Sequence, residues 1–236
     1  MKVPAPQIPF DFFVAEAPTF DNFVVGDNRE VVARLDDWTR SLQAGGAPAA
    51  CVLWGGPATG KSHLIAAALH RAELHGNLVL QLDAGNALSI DPFTDARVLC
   101  VDNADRLSPE QQGWLFTAFN HVAHAGGMTI ASGQLPPTRW LMRDDIRTRL
   151  ASGLAFEILP IPQDALPVAL ADYAMRRGFG IGNEVLTYLL SHAKRDISSL
   201  CQVLTGVDRL SLALKRPVTV PLLRAYLAEA DWPGTR

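Results

Sequence analysis

Eight consecutive residues, Gly55-Gly56-Pro57-Ala58-Thr59-Gly60-Lys61-Ser62, follow the spacing of a glycine, four residues, then Gly-Lys-Ser. This pattern suits phosphate chemistry. Glycines let backbone N–H groups turn inward with no Cβ in the way. Lys61 supplies a cation to the terminal phosphates of a nucleotide, and the Ser62 hydroxyl can ligate Mg²⁺. A helix starting at Lys61 would aim its positive end at the same phosphates. A second feature belongs with the first: an apolar strand ending in an aspartate that holds Mg²⁺ through water. Val98-Leu99-Cys100-Val101-Asp102 fits it. Many ATPases place a second carboxylate next, to orient the attacking water. Here Asn103 follows, and an amide can orient a water but cannot take its proton at neutral pH. Asp105 is near in sequence, yet its side chain would have to reach back. Slow intrinsic hydrolysis is the expectation.

Elements to hold these residues can be read from the pattern. Residues 28–42 carry apolar side chains at amphipathic-helix spacing, ended by Gly45-Gly46. Strands are expected at 50–54, 78–82, 97–101, 128–132 and 155–159. Helices are expected at 61–75 and at 109–124, the latter capped by Ser108. Alternating strands and helices imply an α/β fold with a parallel sheet covered on both faces. Ligands of such sheets bind beyond the carboxyl ends of the strands. After Pro160 and Pro162 only helical patterns follow, at 163–177, 183–193, 197–214 and 220–230. The division expected is a flexible leader over 1–18, a nucleotide-binding domain over 19–160 and a small all-helical lid over 161–236.

Composition narrows the function class. The 236 residues are 48% hydrophobic, enough for a sizeable core. A net charge of −3 gives no global attraction to a polyanion, so DNA would be met only indirectly or weakly. The basic pairs Arg176-Arg177, Lys194-Arg195 and Lys215-Arg216 read as solvated helix faces. Three cysteines with no close pair point to neither a zinc site nor a redox motif. An odd count without a framework fits a reducing compartment. Lacking a signal peptide or an apolar run of membrane-spanning length, the chain is expected to be soluble and cytoplasmic, with no membrane partner.

Three segments in order resemble the ATPase module of the DnaA replication initiator, an AAA+ module made of a P-loop parallel sheet domain and a helical lid. They are Thr19-Phe20-Asp21-Asn22-Phe23-Val24-Val25-Gly26, the P-loop ending Gly60-Lys61-Ser62-His63-Leu64, and Asp145-Ile146-Arg147-Thr148-Arg149-Leu150 followed by Ser152-Gly153-Leu154. The resemblance implies adenine nucleotide, ADP or ATP, with Mg²⁺ on Ser62 and Asp102. It implies nucleotide contacts along 55–63, with Val24 and Val25 beside the base. The family places an arginine finger at Arg149, a γ-phosphate sensor at Ser132 or Gln134, and a lid arginine where Ser198 stands. Arg195 lies about one turn earlier and is the candidate substitute. Asn103 and Ser198 both remove features that favour ATP, so ADP is expected to bind at least as tightly.

The initiators carry a further DNA-binding domain, and none is expected here after the lid. The leader holds Gln7-Ile8-Pro9-Phe10-Asp11-Phe12, which resembles a sliding-clamp-binding peptide. Gln7 would anchor by hydrogen bonds, while Ile8, Phe10 and Phe12 would enter an apolar pocket. A lone DnaA-type module with such a peptide resembles the Hda family, regulatory inactivators of DnaA. That resemblance implies two partners, the DnaA initiator and the DNA polymerase sliding clamp, and a negative regulator of replication initiation that activates hydrolysis on its partner. Arg149 needs a neighbouring nucleotide site, so initiator pairing or a homo-oligomer is implied. Two other readings share the P-loop and lid: an autonomous AAA+ ATPase or helicase loader, and a non-catalytic nucleotide-dependent adaptor.

Overall fold

The computed structural model describes residues 17–42, 47–85, 95–193 and 196–229. They fall into two compact units that divide between Pro160 and Ile161.

The first unit is built on five strands: β1 (Ala50–Trp54), β2 (Val79–Asp83), β3 (Val98–Asp102), β4 (Met128–Gly133) and β5 (Leu154–Glu157). They form one parallel sheet in the order β2-β3-β4-β1-β5. Alternate strand residues serve opposite faces, as the pleat requires. Cys51, Leu53, Val98, Cys100 and Ile130 pack against α1 (Arg29–Arg40) and α2 (Lys61–Leu74) through Leu35, Leu64, Ile65 and Ala68. Val52, Leu99, Val101 and Ala131 pack the other way, against α3 (Pro109–His124) and α4 (Asp144–Ala151) through Leu115, Phe119, Ile146 and Leu150. The α/β layering expected from the sequence is therefore present, with both faces of the sheet covered.

Several boundaries differ from expectation. β2 and β3 are each shifted by one residue, β5 starts one residue earlier and ends two residues earlier than expected, and the register pairs Asp83 with Asp102 at the strand ends. The helix α4 falls in a segment for which the hydrophobic pattern gave no helix. It has only two buried residues, Ile146 and Leu150, four apart on one face. Ser108 caps α3 as expected. Its Oγ accepts from the Gln111 N–H at 3.2 Å, and the Gln111 side chain accepts from the Ser108 N–H at 2.9 Å, completing a capping box.

The second unit holds α5 (Leu166–Arg176), α6 (Asn183–His192), α7 (Ile197–Leu214) and α8 (Val220–Glu229). Its separate core includes Leu170, Leu189, Leu200, Val203, Leu204 and Leu223. Among the described residues no helix is long and apolar enough to cross a membrane.

Candidate phosphate site and arginine helix

In a parallel sheet all carboxyl ends share one edge, so β1, β3 and β4 deliver their following loops to the same place. The loop after β1 is pinned at its start: the Gly55 N–H donates to the Gly133 carbonyl at 3.3 Å. A Cβ at Gly55 would lie 2.6 Å from the Ile158 carbonyl oxygen, which only glycine avoids. At the other end Gly60 has φ +97°, and a Cβ there would lie 2.7 Å from the Phe23 ring. Ala58, with φ 58°, also sits in the left-handed region. With left-handed backbone at Ala58 and Gly60, the loop ends on the N-terminus of α2. Leu64 N–H is the first in α2 to reach a helical carbonyl, that of Gly60 at 3.0 Å. The N–H groups of Lys61, Ser62 and His63 precede it at the positive end of the helix dipole.

Lys61 is buried, and its Nζ donates to the Gly55 and Gly56 carbonyls at 2.8 and 2.6 Å and to Thr59 Oγ1 at 3.4 Å. Burial lowers its pKa, and Asp102 and Asp105 oppose that shift. Ser62 is exposed. Pro57 lies with Ala58 on the exposed crest of the loop.

Ser132 is fully buried at the end of β4. Its Oγ donates to Asp102 Oδ1 and accepts from the Asn103 N–H at 3.0 Å. The Asn103 N–H also reaches Asp102 Oδ1, at 3.1 Å. The hydroxyl expected to sense a γ-phosphate is thus engaged with the aspartate of the site. Gln134 is exposed, and its N–H donates to Asp105 Oδ2 at 2.9 Å. Asp105 Oδ1 is buried without a hydrogen-bond partner among the described residues. Asn103 has φ 54°, a left-handed position that an asparagine tolerates better than most side chains.

The donor set fits Mg²⁺. The exposed Ser62 hydroxyl and the Asp102 carboxylate are hard oxygen donors of the kind this ion takes. No cluster of three or more His, Cys, Asp or Glu is assembled among the described residues.

The segment 19–28 lies against the phosphate loop. The Thr19 carbonyl is 2.9 Å from His63 Nε2, and the Phe23 and His63 ring centroids are 5.3 Å apart. The His63 side chain therefore serves this segment. Val24 and Val25 are half-buried, followed by a turn in which the Asn28 N–H donates to the Val25 carbonyl at 2.9 Å. The Asn28 amide then pairs reciprocally with the Leu159 backbone, at 2.9 and 3.0 Å.

Arg149 is exposed in the last turn of α4. Its guanidinium carbon lies 5.1 Å from the Phe116 ring centroid and 5.9 Å from that of Phe119. Those two aromatics of α3 fit a helical spacing and read in the sequence simply as core; nothing local marks them as partners of an arginine 30 or more positions on. In the second unit Ser198 is exposed in the first turn of α7, whose N-cap Asp196 accepts from the Ser199 N–H at 2.8 Å. Arg195 and the leader residues Gln7, Ile8, Phe10 and Phe12 lie outside the described residues.

Cys51 and Cys100 are buried, and burial pushes both thiols, and that of Cys201, up to about 12, which disfavours the thiolate.

This architecture is that of known AAA+ modules. The chain is similar to domain III of the Thermotoga maritima replication initiation protein DnaA, with a TM-score of 0.73, 17% identity, and coverage of 91% of this chain and 97% of that one. It is similar to AMPPCP-bound DnaA from Aquifex aeolicus at TM-score 0.67 and 20% identity, covering 94% of this chain and 72% of the other. The Thermotoga maritima RuvB Holliday junction branch migration motor aligns at TM-score 0.64 and 13% identity, over 90% of this chain and 72% of that one. The sheet order, the phosphate loop and the helical unit that follows are those of an α/β AAA+ fold with a lid. Residues 164–227 match the family model "Hda, lid domain".

Proposed function

We propose that this protein binds an adenine nucleotide at the 55–63 loop and restrains replication initiation by offering Arg149 to ATP held by a DnaA initiator. The observation that carries this reading is the state of Arg149. It is exposed at the end of α4, its guanidinium rests on aromatic rings, and among the described residues no carboxylate pairs with it. A guanidinium placed on a transferring phosphoryl group stabilises its charge and is worth roughly 10³–10⁵ in rate. The Hda-type lid and the DnaA-like fold support DnaA as the partner whose nucleotide receives it.

The protein's own nucleotide sets its conformation and is turned over slowly. The solved Aquifex relative holds AMPPCP, which supports a nucleotide here. Backbone N–H groups of the loop and the first turn of α2 would cradle the phosphates, with Lys61 exchanging its bonds to loop carbonyls for phosphate oxygens. Val24 and Val25 would flank the base. Ser62, and Asp102 through water, would hold Mg²⁺, which would supply charge neutralisation at the phosphates. Ser132 fixes Asp102, and Asn103 cannot act as a base. With Ser198 where the family carries a lid arginine, and Arg195 its candidate substitute, ADP binds at least as tightly as ATP. The leader peptide, through Gln7, Ile8, Phe10 and Phe12, docks the protein on the sliding clamp, so DNA is reached indirectly.

The test is reconstituted hydrolysis by ATP-loaded initiator, with and without this protein, clamp and DNA. Stimulation that needs Arg149 and the clamp, and that falls when residues 1–12 are deleted, is expected. Full stimulation by Arg149→Ala would refute the assignment, and binding without any stimulation would favour a non-catalytic adaptor.

A further inference from the structure

Four arginines, Arg139, Arg143, Arg147 and Arg149, lie within eleven positions on and before α4; two of them are salt-bridged and Arg149 is not. Arg143 pairs with Asp145 at 2.6 Å, and Arg147 with Asp144 at 2.5 Å. Both acids sit in the first turn of α4, where the helix dipole favours them. Arg149, at the negative end of the same helix, pairs with rings instead. Phe116 is the common platform: its centroid is 5.1 Å from the Arg149 guanidinium carbon and 5.4 Å from that of Arg143. Phe119, buried in the core, adds a second ring 5.9 Å from Arg149.

The chemistry of the two kinds of partner differs. A salt-bridged arginine must break an ion pair before it can serve another anion. A guanidinium over an aromatic face keeps its charge and its planar fork of N–H donors, while the ring restricts the long side chain. Such an arginine meets an incoming phosphoryl group with less rotamer freedom left to lose. We propose that Phe116 is a positioning residue that holds Arg149 ready for a nucleotide triphosphate bound by the partner protein. This rests on the reading of Arg149 given above. Phe116 is partly buried, packed against the core and lying beneath both Arg143 and Arg149.

Phe116→Leu keeps most of the apolar bulk and removes the π face; Phe116→Tyr keeps both. In the clamp- and DNA-dependent assay, Phe116→Leu is expected to lower the maximal stimulated rate about fivefold, the scale of an exposed cation–π contact. The concentration giving half-maximal stimulation should stay unchanged, Phe116→Tyr should match wild type, and Phe116→Leu should add nothing to Arg149→Ala. A second measurement on the protein alone is the NMR signal of the Arg149 Nε–H, assigned by its loss in Arg149→Ala. It should show a ring-current shift that disappears in Phe116→Leu and persists in Phe116→Tyr. An unchanged maximal rate in Phe116→Leu, beside an inactive Arg149→Ala, overturns the proposal and leaves the finger intact. Equal losses in the Leu and Tyr variants overturn it too. Full stimulation by Arg149→Ala shows instead that the underlying reading of Arg149 has failed, and the proposal falls with it.

Discussion

Gly60→Ala strikes the junction between the phosphate loop and the segment that crosses it. Gly60 has φ 97° and ψ 10°, and its missing Cβ would stand 2.7 Å from one Phe23 ring carbon and 3.2 Å from the next. Two costs follow. Placing an L-residue in the left-handed region costs about 1–2 kcal/mol. Forcing a methyl group against a packed ring costs about 1–3 kcal/mol more. The sum, about 2–5 kcal/mol, is a large share of the roughly 5–15 kcal/mol that holds a domain together. Urea unfolding of the full chain measures it, and a double-mutant cycle with Phe23→Ala separates the two parts. In the Phe23→Ala background the steric part should vanish and the backbone part should remain, giving a favourable coupling of about 1–3 kcal/mol. A Gly60→Ala penalty below about 1 kcal/mol, or strict additivity with Phe23→Ala, would refute this account of the junction.

Three further outcomes are expected. Ser132→Ala takes one of two donors from Asp102 Oδ1, a hydrogen bond to a charged group worth about 1.5–3 kcal/mol; nucleotide affinity measured by calorimetry should drop roughly tenfold or more with Mg²⁺ and far less without it. Gly206→Ala, in the middle of α7, would ordinarily strengthen a helix by about 1 kcal/mol, but its Cβ would collide with the Tyr226 hydroxyl and ring carbon; thermal melting should show a net loss that Tyr226→Leu relieves. Asp208, buried in the lid, has its pKa raised from 3.8 by desolvation, with Arg177 opposing. Between 3.8 and the raised folded value the native state holds more protons than the unfolded chain, so stability falls as pH rises through that window. Asp208→Asn should therefore gain on wild type as pH rises through it, in denaturation curves run across the acid range; an unchanged difference would count against a desolvated carboxyl.

What the sequence alone determined was what depends on neighbouring residues. The glycine spacing of 55–62 sets a backbone conformation, and it is the backbone that makes a phosphate loop. The apolar run ending at Asp102 needs only its own pattern to be a buried strand with a carboxylate at its tip. The capping box at Ser108 and Gln111 spans a single turn. The alternation of strands and helices up to Pro160, and of helices after it, fixed the layering. Sequence could not show the order of the strands, because register and neighbours are set by contacts far along the chain. That order puts β4 between β1 and β3 and turns Ser132 from a free hydroxyl into the group that holds Asp102, thirty positions away. It could not show α4, whose only buried residues are Ile146 and Leu150, nor which arginine on it lacks a carboxylate. Arg149 has the same side chain as Arg143 and Arg147. Only the packing of α4 against α3 placed Phe116 and Phe119 beneath it, and so distinguished an arginine held by rings alone from Arg147, held by a carboxylate, and Arg143, held by both.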